Sequence, residues 1–171
     1  MDREQTRYRE WSPWPTFTTV ILWIVVPIAV YAILTDATEI PSEVLRWVVA
    51  LSVIGLTWAI WAFLGGLTVL VQESRIVLHL GRTPLVRKVV PFGDIASMQT
   101  ITYRPLIEFG GWGVRGLGDR RAWTARGNKA VELTLTDGNE LLIGSDHPQR
   151  LQERIRTLSG REIPSTPEKA A

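Results

Sequence analysis

Few side chains in this sequence have the types and spacing that a reaction centre needs. Ser145, Asp146 and His147 supply the three groups of a hydrolase triad, but they are consecutive. Adjacent residues at the start of a helix cannot take up the relative positions that a triad requires. The other histidine, His79, lies far away in the sequence, and the chain contains no cysteine. Without thiolates, or a second ligand at metal spacing, the sequence predicts neither an enzyme nor a metal or other cofactor.

The segment that most favours a binding function is 109–129, with the sequence FGGWGVRGLGDRRAWTARGNK. Five of its glycines fall within nine positions, and two tryptophans, four arginines and one lysine accompany a single acid, Asp119. The spacing Gly111-x-Gly113-x-x-Gly116 matches the dinucleotide-binding fingerprint, but that fingerprint works only between a strand and a helix. No helical periodicity follows it here, so we do not expect dinucleotide binding.

Three interpretations of segment 109–129 stay open at the level of sequence. In a structural role, the glycines permit tight turns, the tryptophans fill a core and the arginines contact water. In an anion site, backbone N–H groups and arginines bind the phosphate of a lipid headgroup. In a protein contact surface, tryptophan and arginine are the residues most enriched at binding hot spots. The candidate binding surface consists of Trp112, Arg115, Arg120, Arg121, Trp123 and Arg126.

Two long apolar segments come before these residues. Thr16 to Thr35 is twenty residues without a charge, and a second uncharged stretch runs from Trp47 to Val71. Twenty helical residues cross the roughly 30 Å hydrocarbon core of a bilayer. We therefore predict a transmembrane hairpin over 16–66, with spans at about 16–35 and 45–66. The mixed charge of the residues before the first span does not match a cleaved signal peptide.

Positive charge predicts the orientation of this hairpin. Three arginines lie in the N-terminal segment 1–15, and further arginines and a lysine follow the second span. The connecting loop 36–43 has three acids and no Lys or Arg. Because short loops rich in Lys and Arg stay in the cytoplasm, we expect an integral plasma (inner) membrane protein with both termini cytoplasmic. Membrane lipids are then partners through the hairpin.

Small residues follow one face of the second predicted span. They are Gly55, Ala59, Ala62 and Gly66, and their spacing places them on one side of a helix. Small side chains let another backbone approach closely in a membrane. Either the two helices of the hairpin pack at this face, or it is a seam between copies of the chain.

The sequence after the hairpin predicts about seven short strands and one helix. The β-branched runs 67–71 and 75–80 are typical of strands, and Asp137-Gly138 between apolar runs predicts a hairpin turn. Near the end, an apolar residue recurs at helical spacing from Leu151 onward, with Asp146 as the expected N-cap and Gly160 as the stop. We expect a loose tail over 161–171.

This order of elements resembles the membrane-anchored type of bacterial pleckstrin-homology-like (PH-like) domain proteins. Three pieces carry the resemblance: PFGDI at 91–95, FGGWGVR at 109–115 with RAWTARGNKAVELTLTDGNELLIGS at 121–145, and the helix beginning DHPQRL. The resemblance covers about 67–160. It implies an α+β membrane protein, in which a two-helix transmembrane hairpin precedes a PH-like small β-barrel or sandwich closed by a C-terminal amphipathic helix. Most of the family has no assigned activity, and it lacks a general phosphoinositide motif.

These observations favour a membrane-anchored binding or scaffold module. Its expected partner is a protein or further copies of the chain. Two alternatives remain: an anionic-lipid headgroup sensor that uses segment 109–129, and an accessory subunit of a larger membrane transporter or envelope complex. The formal net charge of +2 is too balanced for a dedicated nucleic-acid partner, and no small-molecule substrate is evident.

Overall fold

The computed structural model describes residues 5–35, 42–116 and 118–164, and over these the chain is an α+β protein. Most of the predicted acidic loop, 36–41, and the end of the predicted tail, 165–171, lie outside the described residues. The helices are α1 (Thr16–Thr35), α2 (Glu43–Leu64), α3 (Pro105–Phe109) and α4 (Pro148–Ser159). The strands are β1 (Thr6–Pro13), β2 (Gly66–Gln72), β3 (Arg75–Leu80), β4 (Arg87–Pro91), β5 (Ile95–Thr102), β6 (Gly113–Arg115), β7 (Arg120–Thr124), β8 (Lys129–Leu135) and β9 (Glu140–Gly144).

Two long apolar helices, α1 and α2, confirm the predicted pair of helical segments, and both are long and apolar enough to cross a membrane. Helix α1 contains Pro27 and has no buried residue. Helix α2 begins after Ser42, whose hydroxyl accepts the Leu45 N–H, and ends at Gly65. The Arg46 guanidinium in its first turn donates to the Leu34 carbonyl at 3.0 Å, so it satisfies a carbonyl at the end of α1.

A four-stranded antiparallel sheet, in the order β1-β2-β3-β4, adjoins the helices. Its first strand comes from the N-terminal segment, to which the sequence analysis assigned no strand. Strand β1 pairs with β2 from Thr6 opposite Gln72 to Pro13 opposite Gly66. The chain therefore enters α1 from one strand and returns from α2 into the neighbouring strand of the same sheet.

The remaining strands form a five-stranded sheet in the order β5-β8-β9-β7-β6. Its pairs are antiparallel except β7 with β9, which are parallel. The predicted Asp137-Gly138 turn joins β8 to β9, and Gly138 has the positive φ, 85°, that such a turn favours. Side chains of β8 alternate between the two faces of the sheet, because Val131 and Leu133 are fully buried while Glu132 is partly exposed.

The main hydrophobic core includes residues of both sheets and the apolar side of α4. Over the described residues the nine strands form two separate sheets and no closed barrel, so of the predicted small barrel or sandwich of about seven strands, the closed-barrel alternative was wrong and the strand number was too low. The additional strands are β1 and the three-residue β6, which have weak local patterns. Residues 83–86 form a bend ahead of β4.

Helix α4 follows the predicted apolar stripe, with Leu151 and Ile155 fully buried, and Gly160 ends it in the left-handed conformation. Its N-cap prediction was wrong. His147 occupies the cap position without a side-chain hydrogen bond, while the Asp146 carboxylate pairs with Arg126. Residues just after the helix also pack: Ile163 is 1% exposed in the main core.

Candidate functional site

Segment 109–129 runs from the end of α3 through β6 and β7 to the start of β8. Its glycines allow the sharp turns between these short elements. Gly110 ends α3 with φ of 67°. At Gly116, φ is 102° and an added Cβ would lie 2.2 Å from the Arg120 carbonyl oxygen. The chain therefore needs glycine there for both backbone conformation and space.

The two tryptophans of the segment have different environments. Trp123 is 5% exposed and belongs to the main core. The Trp112 side chain is half-buried: its Nε1–H donates to the Gly127 carbonyl at 2.9 Å, and its ring centroid lies 6.2 Å from that of Phe17 in α1. Trp123 therefore fills the protein interior, whereas Trp112 joins the segment to the first turn of a long apolar helix.

Arg120 is surrounded by acidic and aromatic side chains of its own chain. It forms ion pairs of 3.6 Å with Glu108, 3.4 Å with Glu132 and 3.2 Å with Glu140. Its guanidinium carbon also lies 5.1 Å from the centre of the Phe109 ring. Three carboxylates around one guanidinium hold α3 against the outer face of the five-stranded sheet, so Arg120 has an internal structural role.

Arg126 is likewise engaged inside the molecule. Its Nη2 lies 2.6 Å from Asp146 Oδ2, and its Nε donates to both carboxylate oxygens of Asp146 at 3.2 Å. The hydrogen bonds that it donates to Asp146 raise the pKa of Arg126. This bidentate pair connects the β7–β8 turn to the residue before the α4 cap.

Arg115 and Arg121 are the exposed arginines of the predicted surface. Arg115 lies opposite Ala122 in the β6–β7 pair, and Arg121 is the residue before Ala122. Since successive strand residues point to opposite faces, the two arginines do not share one side of the sheet. The structure therefore does not bring the six predicted residues together into one exposed patch.

A small polar pocket of about 150 Å³ lies beside Arg121. Lys88 and Arg121 line it together with Asp137, Asn139 and Glu140. Hydrogen bonds from Asn139 lower the pKa of Asp137 below its ordinary value. The pocket thus combines both signs of charge and an internally bonded carboxylate, an arrangement that does not select an anion.

The residues considered for catalysis have structural environments. Burial lowers the pKa of His79, which is 6% exposed. His147 is exposed, and its backbone N–H donates to Ser145 Oγ at 3.0 Å. The Ser145 hydroxyl donates to the Glu10 carboxylate at 2.8 Å. Among residues 5–35, 42–116 and 118–164, no group of three His, Asp or Glu side chains is placed to hold a metal ion.

Sequence reasoning missed Glu10, which is 8% exposed in β1. Its carboxylate accepts the Ser145 hydroxyl, the Asp146 N–H at 2.7 Å and the Tyr8 hydroxyl at 3.0 Å. Burial, together with the nearby Glu10, raises the pKa of Tyr8 to about 12. The charged sequence of β1 gives no signal for this carboxylate, because Ser145 and Asp146 lie more than a hundred residues away in the chain.

The predicted small-residue face does not match the packing of the two long helices. Gly66 lies in β2 rather than on α2, and an added Cβ there would meet the Trp11 ring at 2.6 Å. Nothing lies within 4 Å of an added Cβ at Gly55, so α1 does not pack against that position. A cleft of about 280 Å³ between the helices is lined instead by larger side chains, among them Trp23 and Trp58.

Comparisons with protein-family models, curated protein sequences and solved structures found no match to this chain.

Proposed function

We propose that this protein is a membrane-anchored binding module. Helices α1 and α2 cross the membrane, and the β domain (residues 6–13 and 66–164) is a PH-like domain on the cytoplasmic face. The domain holds a protein partner, or further copies of the chain, beside the bilayer. The resemblance of residues 67–160 to PH-like domain proteins supports this assignment.

The direct continuity of the helices with one sheet is the observation that carries the proposal. Pro13 pairs with Gly66, and the Trp14 N–H donates to the Gly65 carbonyl at 3.0 Å. These bonds lie where the chain enters α1 and leaves α2. Since no linker intervenes on either side, the β domain has a fixed distance and orientation to the helices, as a scaffold requires.

The exposure of the helices supports their insertion in a membrane. Helix α1 has twenty residues, none buried, and its Trp23 side chain is 78% exposed. Helix α2 has 22 residues, of which Ala50 is the buried one. Exposure of these apolar surfaces to water is unfavourable, whereas in a bilayer they contact lipid chains. The arginine-rich termini and the acidic connecting loop favour a cytoplasmic β domain.

The internal pairing of Arg120 and Arg126 weakens the alternative of a headgroup sensor built on segment 109–129. A phosphate would have to compete with carboxylates already in place. The alternative of an accessory subunit gains one observation, because nothing lies within 4 Å of an added Cβ at Gly55. Replacing Gly55 with leucine tests it: a larger complex that survives this change does not use the face.

Two experiments test the proposal, and the first uses the absence of cysteine from the chain. For topology, single cysteines at Glu153 and Thr136 of the full chain are labelled in intact cells and in inverted vesicles. We expect a membrane-impermeant maleimide to label both positions only in inverted vesicles. Labelling in intact cells, or release of the chain from membranes by alkali, would refute the anchored, cytoplasmic orientation.

For the partner, a photo-crosslinking residue is placed at the exposed Arg121 in native membranes, with Glu153 on α4 as the matched exposed control. We expect one dominant protein adduct, or a dimer of this chain, at Arg121 and not at Glu153. Lipid adducts alone, or equal adducts at the two positions, would contradict a protein-binding role for this side of the domain.

A further inference from the structure

The exposed apolar side chains of the β domain are confined to two segments. Among the residues that the structure describes outside α1 and α2, six large apolar side chains are exposed. Leu106 and Ile107 are 67% and 76% exposed, and Leu85 is 67% exposed. The full set is Leu85, Val86, Val89, Leu106, Ile107 and Val114. Single exposed apolar residues are ordinary, but a confined set calls for a physical cause.

The first of these segments, residues 81–89, contacts the end of α2. The Arg82 N–H donates to the Ala62 carbonyl at 3.2 Å, and the Gly81 N–H donates to the Gly66 carbonyl at 2.9 Å. The Arg82 guanidinium lies 5.3 Å from the centre of the Trp61 ring. Leu85 and Val86 follow directly in the same turn. They are therefore held beside the last turn of the second long helix.

The second segment, residues 104–115, contacts the start of α1. The Trp112 ring packs against Phe17, and the Gly111 N–H donates to the Pro105 carbonyl, which closes the segment on itself. Val114 lies on β6, the edge strand of the five-stranded sheet. Both exposed segments therefore adjoin the place where the two long helices meet the β domain.

We propose that segments 81–89 and 104–115 lie in the interfacial region of the same membrane that holds the helices. Their apolar side chains insert at the boundary between headgroups and acyl chains, as in proteins bound to the membrane surface. This inference rests on the proposed function, because it requires α1 and α2 to span the bilayer.

The charges of the two segments match an anionic leaflet. Segment 81–89 contains Arg82 and Arg87 without an acid, while its Lys88 lines the polar pocket beside Asp137; segment 104–115 contains Arg104 and Arg115 against Glu108. The Glu108 carboxylate is already paired with Arg120 and bonded to the Arg104 N–H. Basic residues beside inserted apolar ones attract the anionic lipids of the cytoplasmic leaflet. A second copy of the chain would have to accommodate this positive charge twice.

The opposite side of the β domain has a different surface. There, the Thr136 N–H donates to the Asp94 carbonyl, and the short 3-10 helix Phe92–Asp94 follows the end of β4 remote from the long helices. The adjoining turn contains Asp137 and Asn139, whose side chains bond to each other. This remote side offers a matched water-exposed control.

The test uses four single-cysteine variants of the full chain, Leu85→Cys, Leu106→Cys, Thr136→Cys and Val25→Cys, each labelled with an environment-sensitive fluorophore. The variants are reconstituted in nanodiscs of phosphatidylcholine with a minority of phosphatidylglycerol. A nitroxide placed near the headgroup, or near the end of the acyl chain, supplies a quencher of known depth. Position 25 reports on the span, and position 136 reports on the remote side.

We expect the headgroup-level quencher to reduce fluorescence about twofold at positions 85 and 106 and to have little effect at position 136. If the deep nitroxide quenches the label at position 25 but the labels at positions 85 and 106 are as little quenched as the label at position 136, the inference is overturned. The proposal that α1 and α2 span the membrane would then still stand. Absence of quenching at position 25 would overturn the proposed anchoring and the inference with it. A blue-shifted but unquenched label at 85 or 106 would assign that surface to a protein neighbour instead.

Discussion

The buried Glu10 carboxylate gives the most direct test of how the N-terminal strand is held. Replacing it with alanine leaves the Ser145 hydroxyl and the Asp146 N–H without their acceptor, and it removes the partner of the Tyr8 hydroxyl. Each buried donor left unpaired costs about 1–3 kcal/mol. Part of this cost is offset because the folded chain no longer has to desolvate a carboxylate. We expect Glu10→Ala to lower the free energy of unfolding by about 2–4 kcal/mol.

Glu10→Gln separates loss of packing from loss of the acceptor. Its amide oxygen still accepts the Asp146 N–H and the Ser145 hydroxyl, while its NH₂ group takes the place of the oxygen that accepts the Tyr8 hydroxyl. We expect a smaller loss of about 1–2 kcal/mol. The matched control is Arg7→Ala in the same strand. Its ion pair with Glu73, at 2.7 Å, is about half exposed on both sides and contributes about 0–1 kcal/mol.

Urea unfolding of the detergent-solubilised full chain, followed by tryptophan fluorescence, measures these differences. Hydrogen exchange adds a local readout, because the Asp146 amide should exchange faster in Glu10→Ala than in the wild type. A Glu10→Ala protein as stable as Arg7→Ala, with unchanged exchange at Asp146, would refute the argument. The contact between β1 and the β9–α4 junction would then contribute nothing to stability.

Three further predictions concern turns, ion pairs and pH. Gly81→Ala should lower the free energy of unfolding by roughly 2–5 kcal/mol, since φ is +66° and the new Cβ would lie 2.1 Å from a backbone oxygen. At Gly118 φ is also positive, +67°, but nothing lies within 4 Å of an added Cβ, so Gly118→Ala should lower it by only about 1–2 kcal/mol. Arg120→Ala should lower the free energy of unfolding by about 1–3 kcal/mol because it leaves three carboxylates close together, and added salt should reduce this loss. The control Arg121→Ala should change the free energy of unfolding by less than about 0.5 kcal/mol. Equal effects of the two substitutions would contradict the structural role of Arg120. Burial lowers the pKa of His79, so as pH falls below about 6.5 the imidazole is protonated in the unfolded chain before it is protonated in the folded one. The free energy of unfolding therefore decreases in this pH range. His79→Gln should make the free energy of unfolding less dependent on pH there, and an unchanged dependence would refute the role of His79.

Local patterns in the sequence were sufficient for the elements whose formation depends on near neighbours. Helix α1 has the bounds predicted for the first apolar segment, Thr16 to Thr35, because twenty consecutive uncharged and mostly apolar residues favour one long helix. The Asp137-Gly138 turn and the end of α4 at Gly160 were also predicted from local sequence. Both depend on a backbone conformation that glycine adopts without strain.

The candidate site required tertiary information. Tryptophan and arginine in 109–129 have the composition of a contact surface, yet Trp123 is in the core and Arg120 is paired with acids up to twenty residues away. A sequence records how many charges a segment has but not which of them meet a partner after folding. The exposure of Leu106 and Ile107, and their nearness to the contact between Trp112 and Phe17, could be recognised only in the folded structure.

What the sequence by itself determined was the existence of two long apolar helices, a strand-rich domain after them and an amphipathic last helix. Each of these follows from hydropathy and periodicity over a window of residues. Only the tertiary structure decided that β1 completes the sheet entered from α2, that the strands form two sheets and that Glu10 bonds with Ser145. The physical reason is that pairing between distant strands depends on which hydrogen bonds and buried contacts the whole chain can satisfy together, and no local pattern encodes that choice.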